Sequence, residues 1–519
     1  MSFSVIKSAR LISIITLGSR ILGLLRDMAV TNAFGVGSVA SAFWTAFQVP
    51  NLFRRLFGEG AISAASIPVL TETLTREGKD KTDALAGRII GLLLVILAAV
   101  CVLGELVIAA LYWRYQDRTD SALLLALTAL MFPYLIFICT AALLGGVQNV
   151  FGKFASAAAA PLILNLFMIV AATGGHWLNL EMRTAIFLLS VTVVISGIFQ
   201  LAWQWVAAKR CDLRLPLRLD ARNPAIRRIG LTMLPMIGGL ATVQFNTLAD
   251  ALIAWWFVPE VIVNGQEAER VGPAVLSLAQ RLYQFPLGVF AIALATAIFP
   301  ALSRHAAERD DTGLAHTLSR GLRITAFEGL PCLLGLILIR EPLIRVLFGR
   351  GEFLTVPGAV DRVGLALFMY ALGIWAFGVN QLMVRAFYAL GDAKTPLRIS
   401  VINVAINLAL NLLLVHTRLR ESGLALATTI CATLQVVALL VHFQRRNGHL
   451  AWVEIRGSLL RALLATTVMG LAVWLVDGLY PDQYGMTLRL LVMVVTGAVS
   501  FGAAAVLFRC PEMREILRR

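Results

Sequence analysis

Charged residues are scarce in this sequence. They make up 14% of its 519 residues, whereas 59% of the residues are apolar. Soluble domains contain about 25% charged residues, because water-facing surface has to be covered with polar groups. The composition therefore excludes a chain built of soluble domains and indicates a protein that crosses a membrane several times.

Residues that bind metals or form disulfides are also few. The six cysteines contain no C-x-x-C pair, and the six histidines are scattered without a metal-ligand spacing. A disulfide framework, a zinc site and any resident cofactor are therefore not expected. We interpret the acidic pair Asp310–Asp311 as a solvated loop rather than a metal-binding motif of a glycosyltransferase. No G-x-x-x-x-G-K-[ST] motif is present either, which excludes ATP hydrolysis by a P-loop.

Positive charge is in excess, with a formal net charge of +15. A nucleic-acid partner would require a soluble basic face, but here the basic residues fall between apolar runs. Every lysine falls on one side of the predicted membrane topology, the side that also holds both chain ends. Cytoplasmic loops carry such an excess of Lys and Arg. The sequence therefore predicts a multi-pass protein with both termini cytoplasmic, in contact with membrane lipids and without a nucleic-acid partner.

The apolar runs predict fourteen spans, since a membrane-spanning helix needs about 20 apolar residues. Spans 1 to 14 cover 11–34, 39–71, 84–112, 121–148, 156–174, 184–207, 227–257, 273–303, 315–339, 361–389, 397–416, 422–443, 457–477 and 487–508. Similar stretches surround Pro68 and Pro300, 232 residues apart, and Gly152 and Gly391, 239 residues apart. Many secondary transporters are built from such repeated halves.

The predicted fold is therefore all-α and polytopic, with two pseudo-symmetric six-helix lobes and two additional C-terminal helices. The predicted boundaries are 1–208 for the N-lobe, 209–226 for a basic cytoplasmic linker, 227–445 for the C-lobe and 446–519 for the C-terminal spans 13 and 14.

Spans 1, 2 and 8 carry ionisable residues where lipid is expected. These are Arg20, Arg26, Asp27, Arg54, Arg55, Glu59 and Arg281, accompanied by the polar residues Ser19, Asn51, Gln280 and Gln284. In span 2 the polar residues recur at steps of three or four, which predicts one continuous stripe on an α-helix. Five arginines against two carboxylates leave three positive charges inside the membrane. The simplest pairing joins Asp27 to Arg20 and Glu59 to Arg55.

An arginine surplus at membrane depth predicts an anionic ligand. Charged residues at that depth are unfavourable unless they line a cavity or have a partner. Guanidinium stays protonated and binds phosphate through two parallel hydrogen bonds. The sequence therefore predicts a cavity that binds a pyrophosphate, and it argues against a cationic drug. Asp250 and the other polar residues of spans 7 and 10 are weaker candidates for the same cavity or for a cation site, whereas the asparagines of span 11 are interpreted as hydrogen-bonding residues between helices.

Several motifs together are similar to the MurJ (MviN) family. They are S-R-I-L-G-L-L-R-D from Ser19, P-N-L-F-R-R-L-F-G-E-G-A from Pro50, A-Q-R-L-Y-Q-F-P-L-G from Ala279 and G-D-A-K-T-P from Gly391. The likeness covers essentially the whole chain. It implies a transporter of the MOP superfamily rather than an enzyme, with spans 13 and 14 shaping a groove for a lipid tail.

The resemblance also implies a function in peptidoglycan synthesis. The family translocates lipid II, the undecaprenyl-pyrophosphoryl-MurNAc-pentapeptide-GlcNAc precursor, across the bacterial inner membrane by alternating access. By motif, its essential cavity arginines correspond to the five arginines selected above. Coupling to a monovalent cation, to protons or to the membrane potential is left open, as is contact with the cell-wall synthesis machinery.

The sequence departs from the family pattern at three positions, Ser41, Gln280 and Gln284, where the family has acidic residues. These departures put in doubt any coupling or gating that depends on carboxylates at these three positions. Three alternatives stay open: an exporter of another polyprenyl-linked glycan, a membrane-embedded glycosyl- or phosphotransferase, and a scaffold without transport.

Overall fold

The computed structural model describes residues 2–220, 222–263, 267–447, 450–481 and 483–517. These residues are predominantly helical. In chain order the helices are α1 (Ser2–Phe34), α2 (Ser38–Phe53), α3 (Ile62–Glu77), α4 (Lys79–Tyr115), α5 (Thr119–Met131), α6 (Tyr134–Val150), α7 (Ala155–Trp177), α8 (Met182–Arg210), α9 (Pro224–Phe257), α10 (Gly272–Val289), α11 (Ala291–Glu308), α12 (Asp311–Phe348), α13 (Ala359–Ala371), α14 (Ile374–Ala389), α15 (Lys394–Leu414), α16 (Glu421–Asn447), α17 (Trp452–Leu479), α18 (Met486–Leu507) and α19 (Pro511–Leu517).

Three short elements complete this part of the chain. A π-helical segment, Arg54–Ala61, joins α2 to α3. Strands β1 (Val261–Val263) and β2 (Glu267–Glu269) form an antiparallel hairpin in which Ile262 is opposite Ala268. A 3-10 turn, Gly351–Leu354, follows α12.

The polytopic helical fold is confirmed. Each of the fourteen predicted spans falls on helix, because an apolar run can satisfy its backbone in lipid only by internal hydrogen bonds. Within the described residues, ten helical segments are long and apolar enough to cross a membrane, and the bent pair α13–α14 makes eleven. Spans 1, 2 and 7 are helical but are not among these eleven, so the count of fourteen spans stays a prediction.

Four predicted spans are interrupted, and the interruptions recur in both halves. Span 2 is broken by the π-helical segment and span 8 at Phe290; span 4 is broken at Phe132–Pro133 and span 10 at Leu372–Gly373. The glycines of the predicted repeat also correspond. Gly152 and Gly391 both end a helix with a left-handed backbone, at φ of 74° and 72°. Only glycine adopts such a backbone without strain.

The chain separates into two compact units. Unit 1 comprises Met1–Leu252, Val261–Ala274 and Gly351–Val356, and unit 2 comprises Ile253–Glu260, Val275–Arg350 and Pro357–Arg519. Thus the β-hairpin and the 3-10 turn pack with the N-terminal unit although they come from the second half of the sequence.

The hairpin and the turn attach to the junction of α1 and α2 in unit 1. Ser38 N donates to Glu269 Oε2 at 3.1 Å, and Arg270 N donates to Ser38 Oγ at 2.9 Å. Ser38 Oγ also donates to Asp120 Oδ2 at 3.1 Å. Gly37 stands where a Cβ atom would overlap the Glu269 carboxylate. The end of the hairpin therefore lies directly against the backbone between α1 and α2.

The basic segment 209–226 is packed against α4. Arg214 N donates to Asp83 Oδ2 at 2.9 Å, and Asp83 is only 4% exposed. The Arg88 and Asp220 side chains approach to 3.7 Å. Gly87 leaves room for the backbone of Pro216, which a Cβ at position 87 would overlap. These contacts fix the connection between α8 and α9 on unit 1.

Unit 2 has a core between α11, α12, α14 and α16. Leu302, Leu318, Met383, Phe387 and Phe443 are all buried within it. Within α12, twelve residues after its start, Arg323 forms ion pairs with Glu454 of α17 at 2.8 Å and with the fully buried Glu512 of α19 at 3.2 Å. The last helix is therefore attached to the body of unit 2.

Candidate substrate site

Arg26 and Asp27, neighbours on α1, form a buried ion pair. Arg26 Nη2 lies 2.6 Å and Arg26 Nε lies 3.0 Å from Asp27 Oδ1. Their exposed fractions are 6% and 2%. The spacing along the helix predicted Arg20 as the partner of Asp27, but the long Arg26 side chain folds back onto the neighbouring carboxylate. The two charges cancel, and Arg26 adds no net charge to the site.

Further contacts hold the Arg26 guanidinium in place. Arg26 Nη1 donates to Asn165 Oδ1 on α7 at 3.0 Å, and the guanidinium carbon lies 5.9 Å from the ring centroid of Trp44 on α2. Asn165 Nδ2 in turn donates to the carbonyl oxygen of Ser19 at 3.2 Å. The predicted site residues Ser19, Arg26 and Asp27 thus belong to one hydrogen-bonded cluster that joins α1 and α7, with Trp44 of α2 in cation–π contact with it.

Arg54 and Arg55 begin the π-helical segment and are both half-buried. Arg54 Nε donates to Asn51 Oδ1 at 2.8 Å, one turn earlier. Arg55 Nη1 donates to Gln244 Oε1 on α9 at 3.3 Å. In both hydrogen bonds the acceptor is a side-chain amide oxygen, which orients the guanidinium.

The predicted polar stripe of span 2 runs through the π-helical segment. An i→i+5 hydrogen-bond pattern widens the turn. The stripe assumed an uninterrupted α-helix, and across Arg54–Ala61 it stays a prediction. The Glu59 side chain lies outside the part of the structure that is described, so its predicted pairing with Arg55 stays a prediction. π-Helical turns occur frequently at functional sites.

Arg20 is exposed on α1, six residues before the buried pair. Arg20, Arg54 and Arg55 are the predicted site arginines of unit 1 besides Arg26. Ser41, by contrast, is completely buried, and its Oγ accepts a hydrogen bond from Ala274 N at 3.3 Å. Ser41 therefore fixes the start of α10 against α2.

Unit 2 carries the remaining predicted residues on α10. Arg281 is half-buried and Gln284 is exposed, and their spacing of three places them on one face. Gln280 Nε2 donates to the Tyr370 hydroxyl at 3.0 Å. Tyr283 packs on Tyr370, with 4.8 Å between the ring centroids. Gln280 is thus hydrogen-bonded to α13. The packing of Tyr283 on Tyr370 also positions α10, the helix that carries Arg281 and Gln284.

Two polar groups of the membrane region were missed by the charge count, which considered only spans 1, 2 and 8. Glu105 lies in α4 and Glu328 near the middle of α12. Asn165, the partner of Arg26, was not among the predicted site residues. A search for every carboxylate and amide within the apolar runs would have found all three.

Comparison with known proteins places this arrangement in a family. The family model described as Lipid II flippase MurJ matches residues 30–495. The chain belongs to the MurJ family. A MurJ relative from Vibrio cholerae serotype O1, named a probable lipid II flippase, is 32% identical over 98% of this chain and 96% of its own length. The Lipid II flippase MurJ of Burkholderia cenocepacia is 30% identical over 83% of this chain and 82% of its own length.

Solved structures show the same fold. A MurJ in an inward closed conformation aligns with a TM-score of 0.76 at 21% identity, covering 98% of this chain and 99% of that one. An inward-facing multidrug transporter of the MATE family aligns with a TM-score of 0.66 at 14% identity, over 86% of this chain. These matches show the fold. Membership of the MurJ family makes the chain a multi-pass membrane transporter and not an enzyme, as the motifs predicted.

Proposed function

We propose that this MurJ chain flips lipid II from the cytoplasmic to the periplasmic leaflet of the bacterial inner membrane by alternating access. The observation that carries the proposal is the match to the MurJ family over residues 30–495, which includes Arg54, Arg55 and Arg281. Lipid II has a pyrophosphate between its lipid tail and its sugars, which is the anion that an arginine site would select.

The proposed pyrophosphate ligands are Arg20, Arg54 and Arg55 in unit 1 and Arg281 in unit 2. Arg54 and Arg55 are oriented by amide oxygens, so their N–H groups are arranged before the substrate arrives. Arg26 is a positioning residue in this proposal, since Asp27, Asn165 and Trp44 already surround its guanidinium.

The undecaprenyl tail would remain in lipid along α17 and α18. These helices expose many large apolar side chains, among them Leu460, Leu471, Leu475, Val495 and Val499. Such a surface suits contact with a polyprenyl chain and with the surrounding membrane lipids. Contact with the cell-wall synthesis machinery stays a prediction.

The membrane potential is a suitable source of energy. A potential that is negative inside favours outward movement of an anion by roughly 2.3 kcal/mol per charge per 100 mV. The positive charge of the empty site would be drawn back toward the cytoplasm by the same field. This account requires both chain ends to lie in the cytoplasm, which the lysine distribution favours.

Complementation tests the proposal directly. The unmodified chain and its Arg20→Ala and Arg281→Ala variants would be expressed in a bacterium whose own lipid II flippase can be switched off. We expect growth and outer-leaflet lipid II only with the unmodified chain. Arg76→Ala is a matched control, because the Arg76 side chain is 75% exposed at the end of α3. Growth with Arg20→Ala at normal protein levels would remove Arg20 from the site.

A second candidate is export of another polyprenyl-linked glycan. It is favoured by Ser41, Gln280 and Gln284, where the family pattern has acidic residues. Ser41 and Gln280 make neutral hydrogen bonds to Ala274 and Tyr370, so any use of carboxylates at these positions is lost. If well-expressed unmodified chain fails to restore growth, transport of other undecaprenyl-pyrophosphate glycans into vesicles would identify the substrate.

A further inference from the structure

A carboxylate interrupts an apolar run of unit 2. Glu328 is in α12, between the charged residues Arg323 and Arg340. At a rise of 1.5 Å per residue it lies about 8 Å along the helix from Arg323 and about 18 Å from Arg340. An ionised carboxylate within an apolar membrane span is unfavourable and usually marks an ion or proton pathway.

Glu328 lines a small cavity, and residues from three other helices line the same cavity. The cavity measures about 10 Å³, enough for one water-sized molecule, and has mainly apolar walls formed by residues such as Pro286, Leu287 and Ile374. Thr325, Glu328 and Cys332 line it from α12. Spacings of three and four place these three residues on one face of the helix. Thr325 Oγ1 donates a hydrogen bond to the Gly321 carbonyl oxygen, one turn earlier in the same helix, at 2.9 Å. The lone pairs of the hydroxyl oxygen remain available as acceptors.

The cavity is located where two spans are broken. Phe290 and Ala291 form the start of α11, and Ile374 is the first residue of α14; all three line the cavity. Helix N-termini carry partial positive charge, which stabilises a carboxylate. The α13–α14 pair is bent by 43° at its break. Movement of either broken span would therefore change the electrostatic environment of Glu328.

We propose that Glu328 binds a proton and that this protonation couples the flipping cycle to a proton gradient. In the step, hydronium transfers one proton to a carboxylate oxygen, which leaves a neutral carboxylic acid and a water molecule. The acid is favoured where its surroundings are apolar, and the carboxylate where the helix ends face it or water enters. The coupling part of this inference rests on the proposed flippase function.

The surroundings of Glu328 suit a proton better than a metal ion. The cavity lining offers one carboxylate, one hydroxyl and one thiol, and Cys332 is the only other titratable group in it. In the described part of the chain no three His, Cys, Asp or Glu side chains are placed to hold a metal. None of the ionisable residues of α10, α11 and α14 lines the cavity. These residues are Arg281, Tyr283, Arg304, His305, Glu308, Arg385 and Tyr388. Tyr370 of α13 is hydrogen-bonded to Gln280.

The test uses the full-length protein in lipid vesicles. Flipping of fluorescent lipid II would be measured with and without a one-unit pH difference across the membrane, at zero potential. For one coupled proton, that difference changes the final inside-to-outside ratio of lipid II by about tenfold. We expect this change in the unmodified protein and its loss in Glu328→Gln. Glu105→Gln is the matched control, because it removes a membrane-region carboxylate that does not line the cavity.

Infrared titration separates the failure of this inference from the failure of the flippase proposal. Glu328 should give a carboxylic acid band that disappears with rising pH and is missing in Glu328→Gln. If that band is present but no lipid II moves, the flippase proposal fails and the proton site stands. If lipid II moves but the pH response of Glu328→Gln equals that of the unmodified chain, or a sodium gradient replaces the pH gradient, the proton inference is overturned. Glu328→Asp, which keeps an ionisable group, should retain the response if Glu328→Gln does not fold.

Discussion

Arg26 Nη1 and Asn165 Oδ1 lie 3.0 Å apart and join α1 to α7. The same guanidinium neutralises Asp27. Of the five arginines selected from the sequence, Arg26 is thus the one whose structural role is defined by its contacts. An arginine that is essential for transport can act through the shape of the site as well as through the substrate.

Removal of Arg26 should therefore affect folding before it affects binding. Arg26→Ala leaves Asp27 buried without its neighbouring cation, and such a loss costs about 3–5 kcal/mol. We expect a strong decrease in the amount of folded protein, measured by size-exclusion chromatography in detergent. Replacing both residues in Arg26→Met/Asp27→Leu should recover much of the fold, since an apolar pair of similar volume is tolerated. If Arg26→Ala alone folds normally, the pair is not structural.

Arg54 and Arg55 should contribute to binding rather than folding. Each charge-assisted hydrogen bond contributes about 1.5–3 kcal/mol, so Arg54→Gln or Arg55→Gln should weaken lipid II binding by roughly 10- to 150-fold. Native mass spectrometry of the detergent-solubilised protein would measure the loss. Gln244→Ala is a useful control because it removes the partner of Arg55 and keeps the charge. Equal losses for Gln244→Ala and Arg55→Gln would contradict a direct role of the Arg55 charge.

The close approach of Gly37 and Glu269 predicts a sensitive position. In Gly37→Ala the new Cβ would push the Glu269 carboxylate aside and break its hydrogen bond with Ser38 N. The loss should cost about 1 kcal/mol. Thermal unfolding in detergent should show a lower midpoint for Gly37→Ala, and Glu269→Ala should remove most of the difference. A Gly37→Ala effect that is unchanged in the Glu269→Ala background would locate the strain elsewhere.

Asp310 should contribute a pH-dependent stability to α12. It caps the helix by accepting a hydrogen bond from Gly313 N at 2.8 Å, and this bond, with help from His305, lowers the pKa of the Asp310 carboxyl. A lowered pKa stabilises the fold above the unfolded value of about 3.9 and ceases to do so as the pH falls through the lower folded value. Unfolding of the unmodified chain and Asp310→Ala should differ at pH 7 and pH 5 and converge in stronger acid. A difference that persists there would indicate a role other than the charged cap.

The sequence predicted where helices occur but not where they break. A run of about 20 apolar residues specifies a helix in lipid, and all fourteen predicted ranges are helical. The π-helical segment at Arg54 and the break at Phe290 depend on packing between helices, which has no signature in hydropathy. Prolines alone do not identify the breaks, because Pro161 lies within the unbroken helix α7.

The candidate site was predicted in part for a similar reason. The arginines could be found because each interrupts an apolar run. The partner of Asp27 could not, since Arg20 and Arg26 are both within reach along α1 and only the position of Asn165 on α7 favours Arg26. Glu328 was not predicted from the sequence, because a single carboxylate hardly alters the hydropathy of a 38-residue helix.

The packing of Val261–Ala274 and Gly351–Val356 with unit 1 has a consequence for biosynthesis. A ribosome that has inserted the first six spans has not yet made these two segments. The N-terminal unit must therefore wait in the membrane, with Ser38 uncovered until Arg270 has been translated and Gly35 uncovered until Glu352 has been translated. Full assembly of the first half of the protein is then a late event of translation, and truncation before residue 351 would leave it unfinished.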